Sequence, residues 1–176
     1  MNPLRAFDIP FVGLKSGVHH FKYEIDNSFF QNFKESLVTS CKAQVDLSFD
    51  KTETFFLLDF QIDATVNVIC DRCGELFDLV INNDQRLIVK FGENIEGKEA
   101  EDEVIFISRN ESHLNVAQLI YEFINLSVPL HKVHPDKNGE STCNKEVMKK
   151  LEELSPEHRE KEENTTWSQL KQIKIK

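Results

Sequence analysis

Leu58-Asp59-Phe60-Gln61-Ile62-Asp63-Ala64-Thr65-Val66-Asn67-Val68 decides the fold class. Apolar and polar residues alternate through it without a break, and a period of two makes a strand with one face buried and the other solvated. Upstream, Ala43, Val45, Leu47 and Phe49 alternate with Gln44, Asp46, Ser48 and Asp50, and the polar stretch Asp50-Lys51-Thr52-Glu53 separates the two runs. An antiparallel hairpin follows. Downstream of Cys70-Asp71-Arg72-Cys73-Gly74, Phe77, Leu79 and Ile81 resume the alternation, Asn82-Asn83-Asp84 interrupts it, and Leu87, Val89 and Phe91 continue it. That reads as one long or bulged strand.

Farther out, Val18, His20, Phe21 and Tyr23 suggest another strand, and Asp26-Asn27-Ser28 is helix-capping material, with Ser28 and Gln31 at capping-box spacing. Phe29, Phe30, Phe33 and Leu37 then share one helical face. The acidic stretch Glu93 to Glu103 reads as a solvated loop, and Val104 to Ile107 as a strand. Asn115 caps a second helix over Val116, Leu119, Ile120, Phe123, Ile124 and Leu126, which Pro129 stops. The expected fold is α+β: an antiparallel sheet with room to curl toward a barrel, two helices packed on it, and a weakly structured C-terminal extension. Residues 1–130 form the expected core domain and residues 131–176 the extension. The extension holds a short helix on Val147, Met148, Leu151 and Leu154, then a basic apolar tail with Trp167, Leu170, Ile173, Lys171 and Lys174.

Composition narrows the function classes. A formal charge of −9, from 30 acidic against 21 basic residues, argues against a protein that coats nucleic acid by neutralising phosphates. No apolar run has signal-peptide or bilayer-spanning length, so a cytoplasmic location is expected, with no membrane partner. Phosphate-cradling glycine loops, G-x-S-x-G and H-E-x-x-H are all missing, which points to a protein that binds macromolecules rather than a small-molecule substrate, and not to an enzyme.

Cys70-x-x-Cys73 is the compact chemical motif. Two thiols two residues apart at a turn between strands suit a zinc knuckle, which needs two further ligands, and His131, His134 and Cys143 are the candidates. The expected set is Cys70, Cys73, Cys143 and His134, with His131 as the alternative fourth ligand. A pair of unliganded thiols in a turn fits the same residues. A redox pair fits less well, because thioredoxin-like sites place the first cysteine at a helix N-terminus whereas strands flank this motif. The thiols, including Cys41, are expected to be reduced.

The order of these features, with Cys70-Asp71-Arg72-Cys73 among alternating strands, an acidic loop, and then Asn115 to Pro129 ending Leu126-Ser127-Val128-Pro129, resembles the YceD family, the large ribosomal RNA subunit accumulation proteins. The resemblance covers roughly residues 5 to 145. It points to Cys70, Arg72 and Cys73, to Glu122 and Pro129, and to Cys143. Many members have a fuller cysteine set after the Leu-x-x-Pro segment, where this chain has Cys143 beside His131 and His134, and many carry Asp-Pro-Arg where this chain has Asn164-Thr165-Thr166. The resemblance implies a non-catalytic factor in ribosome biogenesis that binds a ribosomal protein or a large-subunit precursor, with Arg72, Glu122, Trp167, Lys171 and Lys174 as candidate partner contacts. Contact with ribosomal RNA would be local or indirect. Two alternatives stay open: a direct RNA-binding module with its basic residues on one face, and a thiol protein using Cys70 and Cys73.

Overall fold

Apolar residues spaced two apart, Phe7, Ile9 and Phe11, bury themselves in an N-terminal segment where 3-10 turns at Pro3–Phe7 and Phe11–Gly13 flank the short strand β1 (Asp8–Ile9). A computed structural model describes residues 3–33, 38, 40–92, 104–137 and 140–155. Contacts divide the chain into two units, Met1–Ile69 with Leu76–Lys132, and Cys70–Glu75 with Val133–Lys176.

In the first unit, β2 (Gly17–Ile25) leads into α1 (Asn27–Phe30). The cap of α1 is Asp26, whose carboxylate accepts from the Ser28 and Phe29 amides at 2.9 and 3.2 Å, so the cap lies two residues before Ser28. Phe29 and Phe30 are buried, but the helix ends at Phe30 instead of running on toward Leu37; a turn follows through Phe33, and Leu37 lies outside the described residues. Phe33 still faces inward and stacks on Tyr121 with ring centroids 4.2 Å apart.

β3 (Ser40–Lys51), β4 (Phe55–Ile69) and β5 (Leu76–Phe91) form the antiparallel meander that period two requires. Val45 faces Ile62, Leu47 faces Phe60 and Phe49 faces Leu58, so apolar residues meet on one face. The β4–β5 register holds from Phe55 opposite Lys90 to Ile69 opposite Leu76 without a bulge. Asn83 and Gln85 therefore keep the inward phase, and the Asn83 amide is accommodated by donating to Ser127 Oγ at 2.5 Å.

β6 (Val104–Ile107) pairs parallel to β5, which departs from the wholly antiparallel expectation. The five-stranded sheet runs β2-β3-β4-β5-β6 and stays open, so it does not curl into a barrel. Period two predicts which residues face inward but carries no information on strand direction. The acidic segment at 93–103 lies outside the described residues. β7 (Leu114–Asn115) pairs with β1 and leads into α2 (Ala117–Leu126). Asn115 Oδ1 accepts from the Ala117 amide at 3.0 Å, and its Nδ2 donates to Asp8 and to the Leu4 carbonyl. α2 buries Ile120 and Ile124 and sets Phe123 against Phe60 at 5.2 Å. Each large side chain buried this way stabilises the unit by about 1.5 to 3 kcal/mol.

In the second unit, β8 (Asp136–Lys137) pairs with β9 (Glu140–Ser141), and α3 (Lys145–Glu153) follows. Asn144 caps α3, accepting from the Glu146 and Val147 amides at 2.9 and 3.3 Å. Among the described residues no helix is long and apolar enough to cross a membrane.

Candidate metal centre

Two short pieces of backbone build the cluster in the second unit. The first is the Cys70–Glu75 turn, closed by the Gly74 amide on the Cys70 carbonyl at 2.9 Å and the Cys70 amide on the Glu75 carbonyl at 2.8 Å. Gly74 has φ 77°, in the left-handed region where a Cβ is strained, so glycine suits this position. The second piece is the β8–β9 hairpin. Thr142 Oγ1 donates to the Pro135 carbonyl at 2.8 Å, fastening the two ends of the hairpin just where His134 enters it and Cys143 leaves it.

The result is that one ligand atom from each of Cys70, Cys73, His134 and Cys143 lies within 4.8 Å of every other. Cys70 Sγ is 3.8 Å from Cys143 Sγ, Cys73 Sγ is 3.5 Å from His134 Nδ1, and Cys143 Sγ is 3.7 Å from the same nitrogen. A tetrahedral zinc ion, with Zn–S about 2.3 Å and Zn–N about 2.0 to 2.1 Å, sets sulfurs about 3.8 Å apart and sulfur from nitrogen about 3.6 Å. These three separations match tetrahedron edges and the others stay within 4.8 Å, so this donor set fits a metal ion. All four cysteines of the chain are free thiols.

Electrostatics favour a cation here. Burial pushes the Cys70 thiol up, but the amides of Cys73, Arg72 and His134, with the His134 side chain, hydrogen-bond to the sulfur and bring it down to about 6. The Ser141 hydroxyl draws Cys143 down, yet burial and the Cys70 and Cys73 sulfurs beside it outweigh that and hold it above its ordinary value. Clustered thiols resist sharing negative charge, and a divalent cation at their centre removes the conflict.

The structure thus brings together Cys70, Cys73, Cys143 and His134, while His131 is exposed and is not part of the cluster. Arg72, also exposed, donates to Ser141 Oγ at 3.3 Å, and Ser141 Oγ in turn accepts from the Cys143 amide at 3.3 Å. Asn144 Nδ2 donates to Glu75 Oε1 at 2.5 Å. Ser141, Asn144 and Glu75 escaped the sequence reading; the Ser-x-Cys spacing, which allows a side-chain-to-amide turn, is the one signal that points to Ser141. Glu122 sits on α2 in the first unit and accepts from Gln118 at 2.7 Å. Trp167, Lys171 and Lys174 lie outside the described residues.

Residues 58–174, well over half the chain, fit the family model described as Large ribosomal RNA subunit accumulation protein YceD. No curated protein and no solved structure matches the chain.

Proposed function

Because the chain belongs to the YceD family of large ribosomal RNA subunit accumulation proteins, we propose that it is a non-catalytic, cytoplasmic factor in ribosome biogenesis. It supports accumulation or processing of large-subunit ribosomal RNA by binding a ribosomal protein or a precursor particle. The observation that carries this reading is the family match, which spans the Cys70–Glu75 turn, α2 and Cys143. The formal charge of −9 favours a basic ribosomal protein over bare RNA as the direct contact, since like charge repels phosphate and opposite charge steers association.

Zinc held by Cys70, Cys73, Cys143 and His134 Nδ1 has a structural role in this reading. Four protein ligands complete a tetrahedron, whereas catalytic zinc sites keep one position for water or substrate. When bound, the ion supplies charge neutralisation and a cross-link; the chain's own residues do the rest. Gly74 and the Thr142–Pro135 contact shape the two ligand loops, and Ser141 orients the Cys143 backbone.

Gentle affinity purification of the tagged protein from its native host, with sequencing of bound RNA and mass spectrometry of bound protein in one eluate, tests the proposal. Large-subunit precursor RNA recovered with a small set of ribosomal proteins, and loss of the RNA first on mild salt or protease treatment, is the expected result. An eluate no richer in either than a mock purification removes the reading.

A further inference from the structure

The two units are stabilised by different means. The first has an apolar core in which Phe49, Phe56, Phe60, Leu58, Ile62 and Ile120 are fully buried. In the second, the buried side chains among the described residues are Cys70 and Cys143, at 1% and 4% exposure, and both belong to the metal-ligand cluster. α3 buries none of its residues, and its apolar stripe ends in Leu151 and Leu154 at 46% and 67% exposure. β8 and β9 are two residues each, too short to hold themselves together. The side-chain links from Arg72 to Ser141 and from Asn144 to Glu75 are hydrogen bonds between solvent-accessible groups, whose net contribution is small because water competes for both partners.

Ordering a chain costs conformational entropy at every residue, and burial of apolar surface is what normally offsets it. Two buried thiols cannot. We infer that the metal takes the place of the apolar core that the described residues of this unit lack: residues 70–75 and 133–155 take up their fold only when Cys70, Cys73, His134 and Cys143 hold a zinc-like divalent cation, while the sheet unit folds without it. This rests on the metal reading given above and adds to it a metal-controlled half of the molecule, with α3 the helix whose presence reports the metal.

Hydrogen exchange on the reduced, full-length chain tests this, comparing zinc-loaded protein with protein stripped by chelator, with zinc content measured on both. The α3 amides that bond back along the helix, Met148 onto the Asn144 carbonyl and Leu154 onto the Lys150 carbonyl, should lose protection on the order of 100-fold or more in the stripped protein. Amides of β3 and β4 should keep theirs, and one equivalent of zinc chloride should restore α3. Cys143→Ser should exchange like stripped protein even with zinc present, whereas Cys41→Ser, outside the cluster, should behave like wild type. Three results would overturn the inference: zinc bound with α3 protection indifferent to its removal, loss of protection in β3 and β4 alongside α3, or no zinc taken up at all. No ribosomal component enters the experiment, so failure of the biogenesis reading leaves its outcome untouched.

Discussion

His134 and His131 are three residues apart, yet one meets three sulfurs and the other faces solvent. The difference lies in the hairpin: Thr142 on Pro135 pins the residue next to His134, and nothing comparable in the described contacts acts on His131. Spacing alone identified Cys70 and Cys73 as a pair, but which histidine completes the set depends on a hairpin of two-residue strands too short to leave a periodic signature. His134→Ala should weaken zinc binding on the order of 100-fold or more while His131→Ala leaves it unchanged, as read by competition with a chromogenic chelator. Two other titrating groups set the alkaline limit of the sheet unit. Burial raises Cys41 from 9.0 to about 11, and burial with the Asp8 carboxylate raises Tyr23 from 10.0 to about 12. The fold thus favours the neutral forms, so their contribution is whole below pH 9 and is lost as pH rises through these folded values. The urea midpoint should fall between about pH 9 and about pH 12, and Cys41→Ala should flatten that fall; a midpoint that holds steady would refute the assignment.

At the scale of elements, the strands were legible because one buried face imposes period two, and β3, β4 and β5 obey it from end to end. Asn82-Asn83-Asp84 looked like an interruption, but Asn83 stays in phase and finds Ser127, so polarity at an inward position marked a partner rather than a bulge. α1 was shorter than its phenylalanine stripe suggested, because Phe33 reaches Tyr121 from a turn as well as it would from a helix. The direction of β6 had no signal in four residues that are all apolar. α2 starts one residue later than its pattern suggested, with Val116 rather than Asn115 at the N-cap, although Asn115 Oδ1 still accepts from the Ala117 amide, and its two kinds of anchor separate in energy. Ile120→Ala, at a fully buried position, should cost about 2 to 5 kcal/mol, and Asn115→Ala, which removes the hydrogen bond to the Ala117 amide, about 1 kcal/mol. Urea titration of the two variants checks the order; equal losses would mean that α2 is held by its cap rather than by its buried face.

Across the whole molecule, the family match over residues 58–174 takes in part of the sheet unit and all four residues of the cluster. A net charge of −9 agrees with the proposed basic protein partner, and four clustered donors agree with the proposed structural metal. The cluster's geometry is the point on which this account most depends, and native mass spectrometry of the full-length chain, purified under reducing conditions without chelator, tests it most directly. The account predicts one zinc per chain, released by acid because protons compete for the same sulfurs and nitrogen, and absent in Cys143→Ser. A chain that keeps its metal-free mass after equimolar zinc is added would contradict it.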